Sequence, residues 1–335
     1  AVGISSLTAF LLSTAMRVGP GNILGVTGAI SIGGPGALFW MWLSAFFGMA
    51  TAFAESTLSQ IFKEKRDDEY VGGMPFYGRK LLKDSALAGV ILSLLYIVYA
   101  FLCFPAQGFN TISAIGAIAG TITGTTFETD SALYLVSFVV LIISTAIISF
   151  GGIKKVTRVT DVIVPFMAVI YVATAFLLII FNFKLIPWFF EAVFTQAFKP
   201  DAVFGGAFGL ALSQGIKRGL MSNEAGQGTI TMPAAAAHVK HPCEQGCVQA
   251  IGVFLDTIVV CTLTGFVVIL GRMWLSNDAQ AWFELGKLEK FLTSCGALTG
   301  NSGLYTPVTL SVSVCFGLFA YTCLLGFMSF TEMCA

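Results

Sequence analysis

Gly19-Pro20-Gly21-Asn22 interrupts an apolar stretch otherwise long enough to cross a membrane as one helix. Proline lacks a backbone N–H and clashes with the preceding turn, and flanking glycines weaken the helix further. Unwinding a helix inside lipid frees N–H and C=O groups, which is tolerated only where protein or a ligand satisfies them. The N-terminus of the second half-helix then favours an anionic carboxylate, and freed carbonyls favour a cation. This is binding chemistry, suited to a zwitterion and a small cation. Gly205, Gly206, Gly209 and Gly215 form a second glycine cluster, in the sixth apolar stretch. Corresponding breaks in two halves point to a carrier with a mid-membrane site between repeats. On that reading Gly19, Pro20, Gly21 and Asn22 line the site with Phe208, Ser213, Gln214 and Gly215 of the sixth stretch. For Gly205, Gly206 and Gly209 the alternative is close helix packing through small residues.

Ionisable residues at membrane depth usually have a function and a partner. Arg17 is expected to pair with Asp256 or Glu55, whereas for Glu55, near a helix end, a side chain reaching the headgroups is the favoured reading. Ser222-Asn223-Glu224-Ala225-Gly226 reads as a helix terminus and gate hinge. His238, His241, Cys243 and Cys247 crowd into ten positions, too close for the paired spacing of a closed zinc site. No nucleophile–base pattern or phosphate loop stands out, so an enzyme is the weaker class and no cofactor is expected. A channel would line its pore with rings of carbonyls or charges, which one pair of broken helices does not supply.

The elements that must hold these residues are helices in lipid. Apolar residues make up 56% of the 335 and charged residues 11%, against about 25% charged in a soluble domain. Zero net charge and the lack of a long basic run exclude nucleic acid as a partner. Spans of roughly 20 apolar residues are predicted near 4–31, 36–62, 86–118, 131–150, 159–182, 201–222, 247–272 and 303–330. Of the 18 Lys and Arg, only Lys184, Lys199, Arg272, Lys287 and Lys290 fall in one set of alternate loops. Twelve fall in the other set and Arg17 in a span, which puts the N-terminus of the first span on the cytoplasmic side. Residues 183–200 have the aromatic content of an interfacial segment, and 278–294 a second, amphipathic helix. No linker divides the chain, so one transmembrane domain over 1–335 is expected.

The motifs are specific enough to carry a resemblance. They include Gly33-Gly34-Pro35-Gly36-Ala37-Leu38-Phe39-Trp40, Asp68-Glu69-Tyr70-Val71-Gly72-Gly73-Met74-Pro75 and Val164-Pro165-Phe166-Met167-Ala168. Further along are Arg218-Gly219-Leu220-Met221-Ser222-Asn223-Glu224-Ala225-Gly226-Gln227-Gly228 and Gly252-Val253-Phe254-Leu255-Asp256-Thr257. In number and order they resemble the bacterial alanine/glycine:cation (sodium) symporter family over nearly the whole chain. The resemblance implies an all-α polytopic membrane protein of leucine-transporter-like inverted-repeat fold in the bacterial inner membrane. It also implies alternating-access symport of a small neutral amino acid with sodium, a proton-coupled carrier of the same fold being the alternative. Against that family the chain is expected to be a fragment, without a leading helix and the last two core spans. Carried over by position, carbonyls around Ala15 and Val18 would ligate sodium together with Thr322 and Cys323. Phe327 would close over the substrate, and Gln107 stands one place from the glutamine usual in span three.

Three residues depart from the family pattern: Pro20 stands for threonine, Cys323 for a hydroxyl residue and Phe327 for tryptophan. Pro20 cannot donate to a carboxylate, the Cys323 thiol is a soft ligand for a hard cation, and Phe327 leaves more room than an indole. A pocket somewhat larger than alanine needs is therefore expected.

Overall fold

The computed structural model describes residues 3–66, 69–198, 207–274, 279–300 and 303–334. Helix α1 (Ser6–Arg17) starts at Ser5, whose Oγ accepts from the Thr8 N–H at 3.0 Å, and it ends at Val18. Helix α2 (Gly21–Gly33) starts directly after Pro20. The first expected span is thus two helices, and the break occupies Val18–Pro20 rather than running through Asn22. The reason is local: the first N–H groups of a helix have no intrahelical acceptor, so proline's missing donor costs little there. The Pro20 carbonyl accepts from Leu24 at 2.8 Å and sets the new helix going.

A turn through Gly34 (φ 71°) and Pro35 leads into α3 (Gly36–Ile61). An antiparallel hairpin follows, β1 (Glu64–Arg66) and β2 (Glu69–Val71), with Lys65 opposite Tyr70. Next come α4 (Met74–Leu81), the 38-residue α5 (Ala86–Thr123), α6 (Ala132–Ser149), α7 (Gly152–Phe181) and α8 (Ile186–Ala197). Helix α9 (Ala207–Asn223) ends in a polar turn before the short α10 (Thr231–Ala236). Helix α11 (Pro242–Val253) passes through a π-helical stretch, Phe254–Val260, into α12 (Cys261–Trp274). Two helices, α13 (Ala279–Glu284) and α14 (Lys287–Thr299), stand where one was expected, and α15 (Tyr305–Cys334) completes the described chain.

Six of these segments are long and apolar enough to cross a membrane: α3, α5, α6, α7, α11 with α12, and α15. The first expected span is instead two shorter helices, and the described part of the sixth is the 17-residue α9, with the break beyond it. Helix α3 runs along α9 and α11, α15 along α5 and α7, and α2 lies against α9, α12 and α14. Helix α1 is enclosed by α7, α10, α11 and α15. Ile23, Val26, Leu38, Met41, Tyr171, Phe266, Phe316 and Phe319 belong to the main core around α2. Phe46, Phe47, Phe101 and Leu102 point outward and are largely exposed. Such faces would drive aggregation in water, but acyl chains are as apolar as they are.

Candidate functional site

The end of α1 meets the middle of α15. Thr322 Oγ1 lies 3.5 Å from the Ala15 carbonyl oxygen, and Cys323 Sγ lies 3.4 Å from it and 3.2 Å from the Met16 carbonyl. At oxygen–cation distances of about 2.4 Å, two ligands at right angles are roughly 3.4 Å apart, so these atoms fit one small cation. Thr322 Oγ1 also sits 2.9 Å from the Leu318 carbonyl, which can take its single proton and leave lone pairs toward α1. Val18, buried at the end of α1, leaves the helical path at ψ 77°. A Cβ on Gly19 would come 2.6 Å from Cys323 Sγ, so only glycine lets α15 close on the break.

On the other side of the break lies a hydrogen-bonded carboxylate. Asp256 accepts from Asn22 Nδ2 at 2.5 Å, Ser222 Oγ at 2.8 Å and Thr257 Oγ1 at 2.9 Å. All four residues are buried. One cluster therefore ties the first turn of α2, the last turn of α9 and the π-helical stretch of the seventh span. A π-turn inserts a residue into the helix and re-aims the side chains around it, which is why such turns recur at functional sites. Arg218, one turn before Ser222 on α9, lays its guanidinium over Gly21 and Gly25 of α2.

The second break is not where the glycine cluster suggested. It follows Asn223: Glu224 adopts φ 55°, and Gly226 and Gly228 each adopt φ 80°. Asn223 Oδ1 accepts from the Ala225 N–H at 3.0 Å, and Thr229 Oγ1 donates to Glu224 at 2.7 Å. Glu55 Oε1 accepts from the Gly226 N–H at 2.9 Å. Glu55 is therefore buried and holds the second break from α3, instead of reaching toward headgroups. Arg17 makes no ion pair with Asp256 or Glu55 among the described residues. Its Nη2 donates to Gln249 Oε1 at 2.7 Å, and Gln249 continues to Gln245 and Ser6.

The remaining candidates scatter. Gly205 and Gly206 lie outside the described residues, as does the side chain of Phe208. Ser213 is exposed and donates to Leu210 of its own helix at 3.3 Å. Gln214 is half-buried. Gly215 packs on α3, where a Cβ would meet Trp40 Cβ at 2.5 Å, and so serves helix packing. Gln107 is half-buried on α5, its Oε1 enclosed without a hydrogen-bond partner. Phe327 is buried one turn beyond Cys323, edge-on to Tyr99 at 5.7 Å and Phe104 at 6.2 Å. His238 stacks on Tyr70, and His241 Nδ1 caps α11 by accepting from the Cys243 N–H.

Ser222, Asn223, Glu224 and Met16 are the residues that sequence reasoning missed as site members. A signal for the second break was present: Gly226 and Gly228 follow Asn223-Glu224, and an apolar Thr231–Ala236 run resumes beyond them. The run is only six residues long, too short to be read as the other half of a span.

Two broken helices that face each other across a buried carboxylate, enclosed by long apolar helices, define the class. This is a polytopic, mostly helical membrane protein of leucine-transporter-like fold. Residues 1–335 match the model of the sodium:alanine symporter family, and the chain belongs to that family. It is 42% identical over 287 residues to a putative sodium/proton-dependent alanine carrier protein of Bacillus subtilis, across 86% of this chain and 57% of that protein. It is 37% identical over 332 residues to a sodium/alanine symporter of Methanococcus maripaludis, across 99% and 70%. A probable sodium/glutamine symporter of Bacillus subtilis is 40% identical across 96% and 63%. The chain thus spans less than two thirds of the length of several curated relatives. Among solved structures, that of MhsT in complex with L-phenylalanine superposes with a TM-score of 0.69 at 17% identity, over 98% of this chain and 72% of that one. That likeness is one of fold.

Proposed function

We propose that this chain is the binding core of a sodium-coupled symporter that moves a small neutral amino acid, of alanine or glycine type, across a bacterial inner membrane by alternating access. The observation that carries the reading is the meeting of the two breaks: the α1–α2 break and the α9–α10 break share the Asn22–Asp256–Ser222 cluster. The positive start of α2 at Gly21 and Asn22 suits the carboxylate of a zwitterion, and Asp256, hydrogen-bonded to Asn22, supplies a negative charge for its ammonium group. Pro20 adds no donor there, and Gly19 lets α15 close on the break. The sodium ion fits the Ala15 and Met16 carbonyls with Thr322 and Cys323, and the neighbouring Val18 carbonyl belongs to the same proposed shell. Substrate and ion then share the short segment Ala15–Asn22, so occupation of one site shapes the other. That is the coupling symport needs.

Phe327 is the proposed aromatic wall, with Gln107 as its polar neighbour on α5. Of the sixth-span candidates, Phe208, Ser213, Gln214 and Gly215 have less support than Ser222, because the break lies after Asn223. All of these residues stand in one proposed transmembrane domain. Proton coupling is the second reading, supported by the burial of Glu55 and Glu224 beside the second break. Uptake of labelled alanine by the full-length protein in proteoliposomes tests both. Uptake driven by an inward sodium gradient is the expected result. Uptake that ignores sodium and follows a pH gradient would establish the second reading instead.

A further inference from the structure

Arg218 has no obvious reason to be where it is. Its guanidinium lies on the first turn of α2, so close that a Cβ on Gly21 would come 2.7 Å from Nη2 and one on Gly25 2.5 Å from Nε. Gly21 and Gly25 are four residues apart and share a face of α2. Together they form a groove that exists only because both lack side chains. The start of a helix carries a partial positive charge, so the groove brings a full cation onto a positive pole. None of the ion pairs among the described residues includes Arg218. Its Nε is enclosed and has no hydrogen-bond partner. Asp256 is near enough to feel the charge, but no ion pair joins it to Arg218, and its three donors, Asn22, Ser222 and Thr257, leave one lone-pair site open.

We propose that Arg218, seated in the groove over Gly21 and Gly25, receives the carboxylate of the carried amino acid, while Asp256 faces its ammonium group. This rests on the amino-acid symport reading above and adds to it a residue that sets specificity. An anion at this point would satisfy the unpartnered Nε and neutralise the clash of like charges with the start of α2. Arg218 would in turn supply the donor that Pro20 lacks. Guanidinium and carboxylate match in planar, two-pronged geometry, and such charge-assisted pairs are the strong ones. The pairing selects for a free carboxylate whatever the side chain, so it separates α-amino acids from amines and amides rather than one amino acid from another.

The test is calorimetric binding of alanine and of alaninamide, which keeps the ammonium and methyl groups but has no carboxylate. It uses the full-length protein in sodium buffer. Arg218→Gln is expected to weaken alanine about 10- to 100-fold, the range for losing hydrogen bonds to a charged group, and to leave alaninamide within about threefold. Arg218→Lys is expected to recover part of the loss. Gly25→Ala keeps the charge but fills the groove, and is expected to act in the same direction as Arg218→Gln. Sodium-dependent tryptophan fluorescence reports that each variant is folded. Parallel weakening of both ligands in Arg218→Gln, as a gate residue would give, overturns the proposal, and so does an alanine affinity within threefold of wild type. If the wild-type protein binds sodium but neither ligand, it is the amino-acid reading that fails, and this inference falls with it.

Discussion

Replacing Asn22 by leucine probes the junction of the two breaks. Leucine has the same branched shape and a larger volume, so no cavity is left, but Asp256 loses its shortest donor, Asn22 Nδ2 at 2.5 Å. Both residues are fully buried, so water cannot easily take over the bond. Hydrogen bonds to charged groups contribute about 1.5–3 kcal/mol, and leaving one partner unsatisfied costs at least as much. Two donors remain on Asp256, Ser222 at 2.8 Å and Thr257 at 2.9 Å, which places the expected loss near the lower end, about 1.5–2 kcal/mol. Converted at 1.4 kcal/mol per factor of ten, that is roughly 10- to 30-fold in alanine affinity, if the site is formed before substrate arrives. Because Asn22 and Ser222 act on one carboxylate, their effects should not add. The double variant with Ser222→Ala is expected to deviate from additivity by about 0.5 kcal/mol or more. Calorimetric alanine binding for wild type, Asn22→Leu, Ser222→Ala and the pair measures this directly. Additive effects, or an Asn22→Leu affinity within twofold of wild type, would refute the view that Asp256 is the shared hinge of the two breaks.

Cys323→Thr puts a hard oxygen where the thiol lies 3.2–3.4 Å from the Met16 and Ala15 carbonyls, so the sodium concentration that half-saturates alanine binding should fall. An unchanged or higher value would remove Cys323 from the ion site. Across glycine, alanine, serine, valine, glutamate and lysine, affinity is expected to favour neutral side chains somewhat larger than alanine's, and Phe327→Trp to shift it toward glycine and alanine. A preference for glutamate or lysine would overturn the neutral-substrate reading. Lys63, just beyond the end of α3, has its pKa lowered to about 8 by burial, and its ammonium group donates to Gln60 Oε1 and the Ala237 carbonyl. Since the folded state gives up this proton more readily than the unfolded one, the Lys63 contribution should rise with pH from about 8 toward 10.5. Lys63→Met should flatten that part of the unfolding profile, and an identical slope in the two proteins would count against the assignment.

The break in the first span was legible because Pro20 is a backbone fact: no environment gives proline an N–H. Its extent was not, since Gly21 and Asn22 return to the helix only through hydrogen bonds to the residues before them. In the sixth span the helix end at Ser222–Gly226 was legible, since α9 stops at Asn223, but the glycine cluster placed the break of the site elsewhere, for a related reason. Glycines in an apolar helix suggest either unwinding or close packing, and Gly215 turned out to pack on α3. The residue that does leave the helix, Glu224, is not a glycine, and its φ of 55° is held by Thr229, while Glu55 braces the neighbouring Gly226 N–H. The π-turn around Asp256 leaves no trace in hydropathy, because one extra residue per turn changes direction and not composition.

By itself the sequence determined that this is a membrane protein of long helices, where the first helix must stop and which family its motifs belong to. Each follows from composition, a short window or the order of quoted motifs. The tertiary structure alone decided the partners of the buried polar groups. Asn22 and Asp256 are 234 positions apart and Ala15 and Thr322 are 307 apart, so their meeting depends on how every intervening helix packs. Arg17 shows the consequence: charge alone pointed to Asp256 or Glu55, but α1 lies against α11, and the guanidinium reaches Gln249 first. Local chemistry sets what a residue can do, whereas long-range packing sets which of its possible partners it meets.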